Sequence, residues 1–477
     1  MCIHLQDNNY SKEPAFQDCD RVNLEHIANF KLADKDATGS LLLFPQSFRD
    51  TEFYSSRQKT EEAPVIIELV RDNEGKPTKI RTGNVMGFIG YGDTEIRIHS
   101  RFDKTDNDTE KEANDFFLYH MLAKVFHVNL FNLDTTSNKK NNILDLFMVM
   151  FPQMLKDTMS QGLYKEYRTY KYNDVRVRGT IEVNRFICED IPFQGKVAYR
   201  TREFSHDNKI LQLVRHTIEY MRHHPWGHGL LNNDMDTRSN VLQIVNATPT
   251  YSKRDLMKVM SDNRRPVSHP YYAKYRALQQ LCVSILRHDG LQYGKEKDKV
   301  HGILFDGAWL WEEYMAVVLR EQFDHFTQKN AFDLFKSQEE KYFQKIIPDY
   351  LSKGWTDGDK ASADAVADAK YMRLEDRLKL QGEQAYSVYY KTIMYMHRFN
   401  SQKGFIFYPM ETSIEKEEHK IEDLSIAGTG SVMHLAGFRI PKVAGKYDEY
   451  KTQMEDSEEK FRDAVNAKLN PPISVPS

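Results

Sequence analysis

Between residues 40 and 102 the apolar positions come in short bursts. SLLLFP from Ser40, APVIIELV from Ala63, and KIRTGNVMGFIGYGDTEIRIHSRF over 79–102 are strand-like runs separated by turn residues. Residues 1 to about 40 are polar and predict no element. The period then lengthens. NDFFLYHMLAKVF (114–126) and NNILDLFMVMFPQML (141–155) repeat apolar residues at helical spacing, the second as a core helix. REFSHDNKILQLVRHTIEYMRHH (202–224) predicts a helix with Ser205 or Asp207 as its N-cap. Ile210, Leu213, Val214, Thr217 and Ile218 form its buried stripe. RRPVSHPYYAKYRALQQLCVSILRHDG (264–290) predicts another helix after a proline-rich approach. A helix starting near Asp306 aligns Trp311, Tyr314, Met315 and Val318 on one stripe.

Two strand-like runs come next, KIIPDY (345–350) and DAVADAKY (364–371). They flank a polar segment, 352–363, with the composition of a hairpin loop. AYSVYYKTIMYMHRF (385–399) returns to helical period through Tyr386, Tyr389, Tyr390, Ile393, Met394 and His397. GFIFYP (404–409) and SVMHLAGFRIP from Ser431 read as strands, and EDSEEKFRDAVNAKL (455–469) as a closing helix. This order of helix, hairpin, helix, strand, strand, helix predicts an α/β sheet with helices on both faces.

At 477 residues the chain is long for one domain. The polar segment 290–299 is the expected boundary, and the pattern divides the chain into 1–160, β-rich; 161–295, mostly helical; and 296–477, α/β. The net charge of −3 excludes a polycation, so any nucleic-acid contact must come from a local patch. One such stretch is 162–187, where Lys165, Arg168, Lys171, Arg176 and Arg178 interleave with Tyr164, Tyr167, Tyr170 and Tyr172. It suits tracking of a phosphate backbone, docking of an acidic partner, or a solvated face with tyrosines packed beneath.

Cys2, Cys19, Cys188 and Cys282 form no CxxC, which argues against a zinc ribbon or a disulfide framework and fits a reducing cytoplasm. The first residues lack the apolar core of a signal peptide, and no stretch approaches the ~20 apolar residues of a membrane span. Gly83, Gly87, Gly90 and Gly92 are not spaced as GxGxxG, and no helix opens after them. His223, His224 and His228 are interrupted by Pro225, Trp226 and Gly227, which breaks the helix that a metal-binding pair needs.

The candidate chemistry lies at the hairpin. Asp349 ends its first run, and Asp368 and Lys370 stand two apart in the second, on the same side of a strand. If the runs pair, two carboxylates and an ammonium converge. The carboxylates repel, and a divalent cation such as Mg²⁺ with hard oxygen ligands relieves the repulsion. A lysine beside it orients an attacking water, the layout of a metal-dependent phosphodiesterase. A DxK triplet alone is uninformative, since Asp207–Lys209 and Glu339–Lys341 also satisfy such a pattern. The conjunction with a preceding carboxylate-bearing helix and a following amphipathic helix is the specific signal.

That ordering resembles the PD-(D/E)xK nuclease core, with Pro348–Asp349 as the PD and Asp368-Ala369-Lys370 as the DxK. With LWEEYM upstream and GFIFYP downstream, it further resembles the McrC subunit of McrBC-type modified-cytosine restriction systems. VRGTIEVNRFI, REFSHDNKILQLV and FIGYGDTEIRIHSRF are similar to other stretches of that family. The resemblance implies an Mg²⁺-dependent, type IV-like restriction endonuclease acting on double-stranded DNA. Asp349, Asp368 and the Ala369 carbonyl would hold the metal, and Lys370 would position the water. Glu312, beside Trp311 where the family has a Phe-Glu pair, would be an auxiliary carboxylate. Lys391 stands where the family usually carries glutamine, and Met372 where it often has a lysine.

The resemblance also implies a partner, an McrB-like AAA+ GTPase ring docked and stimulated by the N-terminal region, 1–160. The chain has no GxxxxGK[ST] loop, and Gly428-Thr429-Gly430 lacks the following lysine, so nucleotide hydrolysis is expected of that partner. The alternative is a catalytically weakened nuclease-fold adaptor that only regulates the ring, a reading suggested by Lys391.

Overall fold

A computed structural model of the chain describes residues 2–10, 21–28, 40–45, 66–73, 77–92, 94–103, 115–126, 141–224, 227–232, 234–267, 269–288, 300–326, 331–336, 342–358, 361–374, 386–411, 420–442 and 447–470. The expected boundary segment at 290–299 lies outside the described residues. The chain forms two compact units. One joins Met1–Asn138 to Lys297–Ser477, and the other is Lys139–Glu296.

The N-terminal part of the first unit contains β1 (Cys2–Gln6), α1 (Arg21–Ala28), β2 (Ser40–Phe44), β3 (Ile67–Arg71), β4 (Pro77–Thr82), β5 (Val85–Tyr91), β6 (Thr94–His99) and α2 (Phe116–Val125). β1 and α1 fall where the apolar pattern predicts nothing. β1 buries Ile3 and Leu5, and it is held by parallel pairing to β6, a partner about ninety residues away. α1 likewise contributes just Leu24 and Ile27 to the core. Such short elements are set by tertiary packing more than by local propensity.

The second unit contains α3 (Asn141–Met159), β7 (Glu166–Asp174), β8 (Thr180–Ile181), α4 (Val183–Glu189), β9 (Val197–Ser205), α5 (Lys209–His223), α6 (Gly227–Leu231), α7 (Met235–Ala247), α8 (Leu256–Asp262) and α9 (Ala273–His288). The five predicted stripe residues of α5 are all buried. Its N-cap is Asn208, rather than Ser205 or Asp207, and the Asn208 carboxamide accepts from the amides of Ile210 and Leu211 at 3.1 Å. Asp207 instead accepts from the amide of Thr250 at 3.1 Å. Arg202, Glu203 and Phe204 belong to β9, because their backbone pairs with Thr169, Arg168 and Tyr167 of β7. The basic and aromatic residues from Tyr167 to Tyr172 therefore lie on a strand, β7. Tyr167, Lys171, Arg200, Arg202 and Phe204 are exposed, whereas Tyr164 is buried against Tyr272 and Tyr275.

The chain then returns to the first unit with β10 (His301–Asp306), α10 (Gly307–Val318), β11 (Phe323–His325), β12 (Phe332–Lys336), β13 (Tyr342–Ile346), β14 (Tyr350–Ser352), β15 (Ala365–Ala369), a wide helical turn at Tyr386–Tyr390 leading into α11 (Lys391–Arg398), β16 (Lys403–Glu411), β17 (Lys420–Ser425), β18 (Val432–Ile440) and α12 (Tyr447–Leu469). β10 inserts into the N-terminal sheet, whose order is β1-β6-β5-β10-β2. The approach there is close. A Cβ on Gly87, at φ +126°, would stand 2.2 Å from the Ile303 carbonyl oxygen. The glycine-rich strand thus serves a strand junction and not a phosphate loop.

A mixed six-stranded sheet follows, ordered β11-β14-β15-β16-β18-β17, with β15, β16 and β18 parallel to one another. Alternation along β16 sorts the packing. Phe407 meets Phe461 of α12, and Trp311 of α10 meets Phe438 of β18, on one face. Ile406 and Tyr408 pack with Val388 and Ile393 on the other. The sheet is therefore covered by α10 and α12 on one face and α11 on the other. No described helix is long and apolar enough to cross a membrane.

Candidate functional site

The predicted hairpin forms, but its first strand is not continuous. Pro348 has no N–H to extend a ladder, so β13 ends at Ile346, paired to Phe332, and β14 begins at Tyr350. Asp349 stands just before β14 and does not end the first strand. Tyr350 and Leu351 pair antiparallel with Ala367 and Val366. Continuing that register brings Asp349 beside Asp368, and the Ala369 amide donates to Asp349 Oδ2 at 2.9 Å. The Asp349 carbonyl is also pinned, accepting from the Phe326 amide at 3.0 Å and lying 3.0 Å from His325 Nδ1.

Asp368 is fully buried and Asp349 nearly so. Lys370 Nζ forms an ion pair with Asp368 Oδ2, and Lys391 Nζ lies 3.7 Å from Oδ1. Lys391 comes from the first turn of α11, over the same face as Asp368, with its ammonium 5.4 Å from the centre of the Tyr395 ring. Tyr395 is anchored through its hydroxyl, which donates to the Ile347 carbonyl at 2.7 Å. The electrostatics separate the two acids. Burial, then the charge of Asp368, pushes Asp349 up to about 6. Burial alone would raise Asp368 too, but Lys370 and Lys391 outweigh it and hold this carboxyl at about 2. The same carboxylates hold the Lys391 ammonium well above its ordinary range, against the opposing effect of burial.

Glu312 is carried by α10, over the opposite face of the sheet. Its side chain comes within 3.9 Å of His325 Nε2, and its carbonyl accepts from the Tyr350 hydroxyl at 2.5 Å. Asp349, Asp368, Lys370 and Lys391 thus meet directly, and Glu312 joins them through His325 and Tyr350. The sequence reading missed His325. Burial would lower its basicity, but Glu313, at 3.6 Å, and Glu312 raise it to about 9. A histidine two residues into a short strand carries no motif, so only the fold shows that it links both acids of α10 to the Asp349 carbonyl.

Among the described residues no group of three His, Cys, Asp or Glu side chains is placed to hold a metal. The residues present nonetheless suit a hydrated magnesium ion, which needs only one or two carboxylates and takes its other ligands from water and substrate. Asp368 is completely buried, held ionised, and its two oxygens face the ammonium groups of Lys370 and Lys391. Such a carboxylate has lone pairs to offer a cation.

Residues 80–409 match the McrBC 5-methylcytosine restriction system component family. Among curated proteins, the UDP-N-acetylmuramoyl-L-alanyl-D-glutamate--2,6-diaminopimelate ligase of Buchnera aphidicola subsp. Baizongia pistaciae (strain Bp) is 25% identical over 202 residues. The matched segment covers 37% of this chain and 39% of that relative, well under two thirds of its length. Two solved structures from Thermococcus gammatolerans are similar at 15% identity. One is a half-complex of McrB AAA+ hexamers with bound McrC, with a TM-score of 0.45 and 98% of this chain and 100% of that chain covered. The other is the McrBC complex, with a TM-score of 0.29 and 67% and 87% covered. Both scores are too low to establish a common fold.

Proposed function

The chain belongs to the McrBC family of 5-methylcytosine restriction system components, and from this we propose that it is the DNA-cutting subunit of such a system. The observation that carries the reading is the convergence of Asp349, Asp368 and Lys370 where β14 and β15 pair within the six-stranded sheet. In this reading the sheet is a PD-(D/E)xK core. Asp349, Asp368 and the Ala369 carbonyl hold Mg²⁺, which supplies Lewis acidity toward a phosphodiester of double-stranded DNA.

The chain's own residues do the rest. Lys370 orients the water, which gives up a proton to solvent as its oxygen attacks phosphorus and the P–O bond to the leaving strand breaks; the departing oxygen takes a proton from solvent. Lys391 lies against Asp368 and offsets negative charge gathering at the reacting phosphate. Glu312 acts through His325, which fixes the Asp349 backbone. The proposed partner is an McrB-like AAA+ GTPase ring that hydrolyses nucleotide and is stimulated by this chain; together they act in the cytoplasm. In the test, the complex is given GTP, Mg²⁺ and 5-methylcytosine-bearing duplex DNA. Asp368→Ala and Lys370→Ala are expected to abolish cleavage while leaving assembly and GTP hydrolysis intact. Cleavage at the wild-type rate by either variant refutes the reading.

One observation favours a second reading, a weakened nuclease that only regulates the ring. Two ammonium groups already face Asp368, so a metal must compete with both. A wild-type complex that hydrolyses GTP but never cuts methylated DNA supports it.

A further inference from the structure

The residue that follows Lys370 is tied into the N-terminal sheet. Tyr371 is buried, and its hydroxyl lies 2.7 Å from Ser100 Oγ. Its ring meets Phe102 edge-on at 5.1 Å. Arg101 clamps the same residue twice. Its guanidinium stacks over the Tyr371 ring at 4.6 Å, and Nη2 donates to the Tyr371 carbonyl at 2.6 Å. Nη2 also donates to Asn84 Oδ1 at 3.1 Å, and Nη1 faces Asp7 Oδ2 at 3.6 Å. Asp7 returns the contact by accepting from the Arg101 amide at 2.6 Å.

The network continues into the helix that carries Glu312. Asn84 accepts from the Gly307 amide through its carbonyl at 3.0 Å and donates to Asp306, the N-cap of α10, at 3.4 Å. Gly307 leaves room for the Tyr371 ring, because a Cβ there would stand 2.8 Å from it. One buried guanidinium therefore sits between the end of β1, the β4–β5 turn, the start of α10 and the residue beside the proposed water-orienting lysine.

Arginine suits this place better than lysine. Its planar group can stack on a ring while its N–H fork meets a carbonyl, an amide oxygen and a carboxylate in fixed directions. Lys370 itself has a short lever. Its amide is held by the Phe407 carbonyl at 2.8 Å, and its own carbonyl accepts from Met372 at 2.9 Å. Beyond that point the strand is fixed by Tyr371.

The geometry points to Arg101 as a positioning residue for Lys370, which it holds in place through the ring and carbonyl of Tyr371. This inference rests on the nuclease reading. It makes the N-terminal sheet part of the cutting machinery, so a partner that shifts β1 or β6 would change the setting of Lys370. It also explains why β10 threads back into that sheet directly before α10.

The test compares Arg101→Lys, Arg101→Ala and Tyr371→Phe with the wild-type chain, each assembled with the ring partner on 5-methylcytosine-bearing duplex. Rates are divided by the folded fraction from circular dichroism. Manganese binding to each full-length chain is measured separately. A lysine that has lost its setting should lower kcat about a hundredfold in Arg101→Ala, while KM for DNA and manganese affinity change less than about threefold. Arg101→Lys should recover only part of the loss, and Tyr371→Phe should show a smaller fall. If Arg101→Ala does not fold, Arg101→Lys and Tyr371→Phe decide the matter. Wild-type kcat in both overturns the inference, as does a loss that vanishes once rates are corrected for folded fraction. Asp368→Ala serves as the control that separates the two failures. If it cuts normally, the nuclease reading falls; if it is dead while the Arg101 and Tyr371 variants are normal, only the positioning role falls.

Discussion

Asp349→Asn should stabilise the metal-free protein, and the gain should grow with pH. In the fold, burial and the neighbouring charge of Asp368 raise Asp349 from 3.8 to about 6. Keeping it ionised therefore costs about 3 kcal/mol near neutral pH and above. The sign follows from the direction. A group whose folded pKa is raised contributes stability that is present below its unfolded value and is lost as pH rises through the folded one. For Asp349 the window runs from 3.8 to about 6. Asp368 is shifted the other way, held low by Lys370 and Lys391 against the effect of burial, so it stays ionised across that window.

Asparagine cannot ionise, yet it retains an oxygen for the Ala369 amide. Urea denaturation in EDTA should show a gain of about 3 kcal/mol at about pH 8, shrinking to about half that at about pH 5. Magnesium at about a hundred times its dissociation constant should add about 2.7 kcal/mol to the wild type. It should add nothing to the variant. A variant no more stable than wild type at the higher pH, or a difference independent of pH, refutes the electrostatic account of the site.

Two further outcomes follow from neighbouring contacts. Lys391→Gln removes one of the ammonium groups that compete for Asp368, so isothermal titration should show magnesium binding about tenfold tighter or more. Glu458→Ala should destabilise the first unit by about 3–5 kcal/mol in chemical denaturation. That carboxylate accepts from the Tyr314 hydroxyl at 2.8 Å, lies 2.7 Å from His120 Nε2 and 2.9 Å from Lys124 Nζ, and so joins α2, α10 and α12.

Much of the C-terminal half was legible in the chain because its signals are local. The α10 stripe of Trp311, Tyr314, Met315 and Val318 is buried as its spacing requires, and Asp306 caps it. The β14–β15 pairing could be read from two apolar runs around a polar loop, and with it the meeting of Asp349 and Asp368. What the local pattern misassigned was the break at Pro348. There the absent N–H outweighs the apolar run and moves Asp349 from the end of one strand to the threshold of the next. The α5 cap is Asn208, neither Ser205 nor Asp207, since β7 pairs with the backbone through Ser205 and Asn208 starts the helix.

The sequence by itself determined which residues carry charge and which face of each long element is apolar, since helical and strand periods are properties of neighbouring positions. Only the tertiary structure decided what stands next to what across long separations. β1 exists because β6 offers it a parallel edge, and β10 completes a sheet begun about three hundred residues earlier. Arg101 and Tyr371 meet at a separation of 270 residues. His325 matters because Glu313, Glu312 and the Asp349 carbonyl converge on it. No spacing rule encodes such contacts. They arise when burying the apolar faces forces the remaining polar groups to find partners inside the fold, and those partners decide how Lys370 is held.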